Sequence, residues 1–164
     1  MTVQPKPDLE PVSKERLRLW LRVLKTNRLI EAELRERLRL EFTTTLPRFD
    51  VMAALSRHPA GLKMSQLSGV LRVSNGNVTG LADRLADEGL VKRVAVPGDR
   101  RAMLLRLTEL GQQEFAHQAA AHESWIDQMM VGISAKEART MSIRLADFAT
   151  RAEEKENAND RTTA

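Results

Sequence analysis

The chain has 164 residues, of which 42% are hydrophobic and 29% are charged, as in an ordinary globular domain. It contains no cysteine, which excludes disulfides and thiolate metal sites. It also has no apolar run long enough for a membrane span or a signal peptide, so we expect a cytoplasmic protein with no membrane partner.

The net charge of +4 is unevenly distributed along the chain. Residues 48–108 carry +5, from ten basic and five acidic residues, whereas residues 109–164 carry −4, from six basic and ten acidic residues. This pattern predicts a surface for polyanions in the first two-thirds of the chain. A mildly basic centre is also common in proteins that bind nothing charged.

The first 46 residues divide into a proline-rich arm and a long helix. Residues 1–12 contain few apolar groups, and we expect a mobile N-terminal arm. Residues 13–46 have a helical pattern that begins with Ser13 as N-cap. Because apolar residues occupy more than one face of this helix, it needs more than one neighbour, and a second chain can supply one. We therefore assign residues 13–46 to dimerisation.

Residues 47–108 are predicted to form three short helices and a hairpin. Pro47 lies in the first turn of one helix, Ser65 opens the next, and Ser74 caps the third over residues 74–88. A helix, a turn of three or four residues and a second helix with polar first turns is the helix-turn-helix pattern. The runs VKRVA and MLLRLT follow as a two-stranded hairpin, with VPGDRRA at its tip.

The last third of the chain is predicted to be helical. Thr108 caps a helix from about 109 to 131, and a capping box at Ser134 and Glu137 opens another. We assign residues 109–152 to C-terminal dimerisation helices and residues 153–164 to a disordered tail. Long helices at both ends of a mainly α chain favour a symmetric dimer.

The stretch SQLSGVLRVSNGNVTGLADRLADEGLVKRVAVPGDRRAMLLRLTELG resembles the MarR family of transcriptional regulators. The most specific parts are Asp99-Arg100-Arg101, Leu107-Thr108, Asp83-Arg84-Leu85 and Gly89-Leu90-Val91. The resemblance implies a winged helix-turn-helix fold, mainly α with a small two-stranded β wing, and N- and C-terminal dimerisation helices. It also implies a homodimer on a palindromic operator, often released by a small effector.

Side-chain chemistry then indicates which residues meet DNA. Asn pairs with adenine and Thr contacts bases, Gly lets the backbone approach, and Arg enters narrow minor grooves or binds phosphate. The predicted DNA-binding residues are Ser65, Arg72, Ser74, Asn75, Gly76, Asn77, Thr79, Gly80, Arg84, Asp99, Arg100 and Arg101. Two alternatives stay open: SNGN is only a polar helix cap, and Arg84 pairs with Asp99 to brace the wing instead of binding phosphate.

An effector cleft is predicted between the dimerisation helices and the DNA-binding lobe, with the helix over residues 46–55 in its lining. The segment TTTLPRFDVMAAL is similar to branch members that control catabolism of aromatic acids, some of which respond to hydroxycinnamoyl-CoA thioesters. The predicted effector-binding residues are Trp20, Arg22, Leu24, Arg48, Phe49 and Met52, with an arginine neutralising a carboxylate or CoA phosphate. The alternative is that these side chains are core and dimer contacts.

No catalytic constellation is found in the sequence. The chain has three histidines, no tyrosine, no thiol and no phosphate loop, so we expect no enzyme, no metal site and no cofactor. The sequence predicts a ligand-responsive DNA-binding regulator, a repressor that is released from double-stranded operator DNA by an aromatic acid or acyl-CoA. The alternatives are a sequence-tolerant architectural DNA-binding protein and a protein-interaction module.

Overall fold

The computed structural model describes residues 11–96 and 98–163, without the side chains of Pro11, Asn75, residues 99–102 and residues 155–163. The helices of this part are α1 (Pro11–Phe42), α2 (Leu46–Ser56), α3 (Met64–Leu71), α4 (Asn75–Asp87), α5 (Glu109–Met129) and α6 (Ala135–Thr163). The strands are β1 (Leu62–Lys63), β2 (Val91–Val96) and β3 (Asp99–Leu107). Among these described helices, none combines the length and the apolar character that crossing a bilayer requires.

Helix α1 is buried only near its C-terminal end. Leu34 and Leu38 are buried, whereas most apolar side chains of the N-terminal half are exposed and Leu24 is half-buried. The helix already includes Pro11, so the prediction that Ser13 is its N-cap is wrong. Proline fits the first turn of a helix because its missing N–H would have no helical partner there. After Phe42 the chain turns at Thr43, which has a positive φ of 49°.

The core lies among α2, α3, α4 and the strands. Val51, Met52 and Leu55 of α2 pack with Leu67 of α3 in one cluster, which the buried residues of α4 and β3 complete. Each fully buried aliphatic side chain of this kind contributes roughly 1.5–3 kcal/mol. Pro47 stands in the first turn of α2, as predicted. This core is what holds α4 in place.

The strands form one antiparallel sheet in the order β1-β3-β2. The predicted hairpin is confirmed as β2 and β3, which pair from Val91 opposite Leu107 to Val96 opposite Asp99, with an irregularity between Ala95 and Val96. The third strand, β1, was not predicted. It has two residues, Leu62 opposite Leu105 and Lys63 opposite Leu104, which is too short for any alternation in the sequence to show.

The start of α5 is joined to the end of α4. Thr108 Oγ1 accepts the Gly111 N–H at 3.0 Å, as predicted for a cap, and donates to the Gly89 carbonyl at 2.6 Å. Gly89 has a φ of +74°, which confirms its predicted place after α4. A Cβ on Gly111 would lie 1.9 Å from the Leu90 carbonyl oxygen, so the backbones touch here.

The chain divides between Ile126 and Asp127 into two compact units, and α6 belongs to the second. The predicted capping box opens this helix: Glu137 Oε2 accepts the Ser134 N–H at 2.9 Å, and Ser134 Oγ accepts the Glu137 N–H at 3.3 Å. The Ser134 hydroxyl and N–H lower the pKa of Glu137. The helix runs to Thr163, where the sequence predicted a disordered tail from 153. Glu, Lys, Arg and Ala in this segment favour helix.

Candidate nucleic-acid interface

Helix α4 presents one apolar face and one polar face. Val78, Ala82 and Leu85 are fully buried at helical spacing, whereas Leu81 is only half-buried. The opposite face exposes Gly76, Asn77, Thr79, Gly80 and Arg84. All five are predicted DNA-binding residues, and the structure brings them to one surface.

The N-terminus of α4 is not closed by its own side chain. Ser74 is the N-cap residue, and its carbonyl accepts the Val78 N–H at 3.2 Å, but its hydroxyl makes no capping hydrogen bond. The Ser74 hydroxyl therefore does not do what a polar cap does, and the alternative that SNGN is only a cap is not supported at this residue. The side chain of Asn75 lies outside the described residues.

Helix α3 precedes α4 and begins one residue earlier than predicted. Its N-cap is Lys63, whose N–H donates to Gln66 Oε1 at 2.9 Å, so Ser65 lies inside the first turn instead of opening the helix. Ser65 is exposed. After Leu71, Arg72 turns the chain towards α4 with φ 52° and ψ 41°, and it is also exposed.

An ion pair ties α4 to the first strand of the hairpin. Arg93 Nη2 lies 2.5 Å from Asp83 Oδ1, and both side chains are about half exposed. An exposed pair of this kind adds little stability, so its effect is to orient the hairpin against α4. The side chains of Asp99, Arg100 and Arg101 lie outside the described residues, and so does the alternative in which Arg84 pairs with Asp99.

Arg84 lines an open cleft between α2 and α4, which we call the α2–α4 cleft. The cleft has a volume of about 550 Å³, and its walls are Pro47, Asp50, Leu71, Val73, Gly76, Asn77, Gly80, Leu81 and Arg84. Burial raises the pKa of Asp50, and the Glu31 carboxylate raises it further, against the opposing effect of Arg57 and Arg35. The cleft is thus mostly apolar, with one guanidinium and one carboxyl whose pKa is raised by burial.

Arg48, a predicted effector residue, is already paired with an acid. Its Nη1 donates to Glu88 Oε1 at 2.7 Å, and its Nη2 donates to Glu88 Oε2, in a two-pronged contact between α2 and the end of α4. Hydrogen bonding to Glu88 raises the pKa of Arg48, and the same contact lowers the pKa of Glu88. The charge of Arg48 is therefore neutralised within the chain, contrary to its predicted role towards a ligand anion.

The other predicted effector residues do not meet in one place. Met52 is 1% exposed and belongs to the core, and Phe49 is buried, with its ring stacked on His122 at a centroid distance of 4.7 Å. Burial lowers the pKa of His122. Trp20, Arg22 and Leu24 lie on the N-terminal half of α1, with Trp20 roughly 21 Å along the helix from Leu34. These residues do not line a common cleft within one chain.

The chain that carries this surface is similar to known transcriptional regulators. A model of the MarR family matches residues 44–103. A MarR family transcriptional regulator from Silicibacter pomeroyi, known from a crystal structure, is 30% identical, and the match covers 88% of this chain and 99% of that one with a TM-score of 0.70.

The chain belongs to the MarR family.

Two further relatives extend the comparison of this MarR-family chain. The HTH-type transcriptional regulator PecS of Dickeya dadantii is 35% identical over 65 residues, which are 38% of this chain and 39% of PecS. The chain thus matches well under half the length of that curated relative. A mutant of MarR from E. coli, solved in complex with operator DNA, shares the fold with a TM-score of 0.69 and 23% identity, over 82% of this chain and 95% of that one.

Three residues of the candidate interface were missed at the sequence level. These residues are Asp83, Arg93 and Asp50. Asp83 belongs to a motif that carried the family resemblance, but its ion pair with Arg93 was not predicted. Asp50, in the wall of the α2–α4 cleft, was not named as a candidate. A basic residue in a strand and an acid on a helix are ordinary surface residues in a sequence. Only the way β2 runs back along α4 shows that they meet.

We expect replacement of Glu88 by Gln to destabilise the fold, because it leaves the Arg48 guanidinium without its ionic partner. The loss should be about 1–2 kcal/mol near neutral pH. The pKa of Glu88 is held below its ordinary value of 4.5, so the stabilisation is complete above that value and is lost as the pH falls through the lower, folded-state pKa. Urea unfolding across this range should show the wild type and Glu88→Gln converging in acid.

Asp87→Asn is the matched control, because it removes an exposed carboxylate one residue away. It should leave the free energy of unfolding nearly unchanged. A Glu88→Gln variant as stable as the wild type at neutral pH would show that the Arg48–Glu88 contact contributes nothing.

Proposed function

We propose that this MarR-family chain is a cytoplasmic, homodimeric DNA-binding regulator that acts as a repressor at a pseudo-palindromic operator. The observation that carries the proposal is the division of α4 into a buried apolar face and an open face of polar and glycine residues. The hairpin β2–β3 lies beside this helix and is tied to it by Asp83 and Arg93. A helix and a hairpin presented together match the way such proteins enter the grooves of DNA.

The glycines of α4 support close approach by a partner. A Cβ on Gly76 or on Gly80 would meet no atom within 4 Å, so the fold itself does not require glycine at either position. Alanine would stabilise the helix by about 1 kcal/mol at each position. Glycine at these two positions lets the backbone of α4 come close to the floor of a major groove, which explains why larger residues are absent there.

In this proposal each α4 lies in a major groove and each hairpin tip in the adjacent minor groove. Asn77 and Thr79 contact base edges, Arg100 and Arg101 enter the minor groove, and Ser65 contacts phosphate. The two half-sites are one helical turn apart, ~10 bp from centre to centre. A protein of the same fold, a mutant of MarR from E. coli, has been solved in complex with operator DNA, which supports DNA as the partner.

Exposed apolar side chains support the homodimer. On α1, Leu17, Leu19, Trp20 and Leu21 are each more than half exposed. On α6, the exposed apolar residues are Met141, Ile143, Leu145 and Phe148. Many large apolar side chains exposed on one element are the mark of an interaction site, and in this proposal a second copy of the chain covers both sets in a symmetric pair.

We expect light scattering at micromolar concentration to give twice the mass of one chain. Replacing Leu17, Trp20 and Leu21 together by glutamine should shift the mass towards that of one chain, because it removes apolar area from the interface. The matched control replaces Leu29 and Leu40 by glutamine, because these exposed leucines lie on a different side of α1 from Leu17, Trp20 and Leu21. A wild-type mass equal to one chain would contradict the homodimer.

A small anionic aromatic effector, or its CoA thioester, completes the proposal. The α2–α4 cleft is better suited to it than the residues named from the sequence, because its size is within the range of ligand pockets and its lining is mostly apolar. Arg84 supplies the cation for a carboxylate. A ligand held there contacts Asn77 and Gly80 and so excludes DNA from α4.

We expect 4-hydroxycinnamate or its CoA thioester to raise Tm, since a ligand that binds only the folded state stabilises it. The Arg84→Met variant should lose this response, whereas Arg22→Met, on the exposed half of α1, should keep it. A neutral amide of the same acid serves as a probe control and should shift Tm less than the acid. Equal responses of both variants would place the effector elsewhere.

Base recognition and groove binding are separable by mutation. We expect Asn77→Ala to reduce the preference for operator over random DNA, with little loss of non-specific affinity. Arg101→Ala should weaken binding to every duplex and lower the dependence of affinity on salt. Electrophoretic mobility shifts, with operator taken from a selection and random DNA as competitor, measure both effects.

Two results would contradict the proposal. Equal affinity of the wild type for all sequences would favour an architectural DNA-binding protein. Affinity for DNA that hardly changes between low and moderate salt would favour a protein-interaction module, because phosphate binding releases counterions.

A further inference from the structure

Two buried polar atoms, one on α2 and one on α5, lack the hydrogen bonds that such atoms normally make. They are Arg48 Nε and Gln118 Oε1, and neither has a hydrogen-bond partner within the part of the chain that the structure describes. Buried polar groups are hydrogen-bonded in the great majority of cases, because an unpaired one has lost its hydration without compensation. Two such atoms therefore need an explanation.

The other polar atoms of both side chains are already bonded, which defines what is missing. Arg48 uses Nη1 and Nη2 for the Glu88 carboxylate, so its Nε–H is a donor that needs an acceptor. Gln118 Nε2 donates to Glu114 Oε1 at 3.0 Å. Because an ionised carboxylate can only accept, this contact fixes which end of the Gln118 amide is the NH2 group. The opposite end, Oε1, is an acceptor that needs a donor.

Arg48 and Gln118 line the same cleft, which we call the Gln118 cleft. It has a volume of about 280 Å³ and lies where α2, α5 and the C-terminal ends of α1 and α4 meet. The apolar residues of its wall are Phe42, Leu90 and Leu110. The residues that line it are all different from those of the α2–α4 cleft. Its volume is close to the lower end of the range for small-molecule sites.

The charges of the Gln118 cleft disfavour an anion. Its lining residues carry one positive charge, on Arg48, and two negative charges, on Glu88 and Glu114. Glu88 already balances Arg48 through the two-pronged contact. The two unpaired atoms need a neutral group that accepts from Arg48 Nε–H and donates to Gln118 Oε1. A hydroxyl group does both with a single oxygen atom.

We propose that the Gln118 cleft binds a small neutral alcohol, whose hydroxyl group accepts from Arg48 Nε and donates to Gln118 Oε1. The apolar body of the alcohol lies against the apolar part of the wall. This site is separate from the effector site proposed in the α2–α4 cleft, and it takes a neutral ligand where that site takes an anion. A ligand in the Gln118 cleft is held by α2 and α5 at once.

The test titrates the full chain with three probes that share one ring: cyclohexanol, methoxycyclohexane and cyclohexanecarboxylate. The ether accepts a hydrogen bond but cannot donate one, and the carboxylate is an anion. Binding is followed by the NMR resonance of the Arg48 Nε–H group, identified as the one that is missing in Arg48→Lys. Gln118→Leu removes the acceptor. Gln113→Leu is the matched control, because it makes the same change at an exposed position of α5.

Cyclohexanol should shift the Arg48 Nε–H resonance of the wild type and of Gln113→Leu with the same affinity. Methoxycyclohexane should bind the wild type about tenfold more weakly, because it leaves Gln118 Oε1 without a donor. Cyclohexanecarboxylate should not shift this resonance. Gln118→Leu should fold, since it removes a buried acceptor that has no donor, and it should bind the alcohol and the ether equally.

Equal affinity of the wild type for the alcohol and the ether would overturn the proposal, because the hydroxyl group would then not be recognised. An Arg48 Nε–H resonance that none of the probes shifts would also overturn it, and ordered water would then be the partner of both atoms. Tighter binding of the carboxylate than of the alcohol would contradict the neutral class of ligand. If Gln118→Leu fails to fold, the comparison of the probes on the wild type still decides.

Discussion

The arrangement of the DNA-facing residues depends on how α4 is anchored by a narrow apolar face. Val78, Ala82 and Leu85 are fully buried against α2, α3 and the sheet, and they leave more than half of the helix surface open. A helix that is apolar on one stripe only is held in position without covering its polar side chains. Every other contact of the candidate interface takes its place from this packing.

Specific polar contacts then set the direction of the neighbouring elements. Glu88 at the end of α4 binds Arg48 of α2, and Asp83 on its exposed face binds Arg93 of the hairpin. The half-exposed Asp83–Arg93 pair contributes little to stability, but it selects one orientation of the hairpin. The Arg48 side chain is largely buried, so its pair with Glu88 contributes both stability and orientation.

The sequence showed the elements better than it showed their contacts. The short helices, the hairpin, the Thr108 cap and the capping box of α6 follow from local patterns, and the structure contains all of them. The features that could not be predicted are contacts between residues far apart in the sequence. Strand β1 has only two residues, and the partner of Arg48 lies 40 positions away. The effector residues were chosen by type, and Met52 proved to be core because apolar residues of α2 serve packing first.

The conformation of Arg72 could not be read from the sequence either. Arginine after a helix is ordinary, and only the backbone angle reveals that the residue is in a costly state. Glycine at positions 76 and 80 is the converse case, because the sequence shows the unfavourable residue type and the structure shows that no neighbour requires it. Arg72, Gly76 and Gly80 are thus each a residue type that lowers stability at its position, and all three fall within a stretch of nine residues.

The contact between Gly111 and Leu90 has a mechanical consequence. A carbonyl oxygen so close to the α-carbon of Gly111 leaves no room for sliding, and the Thr108 hydroxyl bonds both sides of the same junction. These contacts couple the segment after α4 to the first turn of α5. We therefore expect a tilt at the start of α5 to displace α4, with the largest displacement at its N-terminal end, near Asn77.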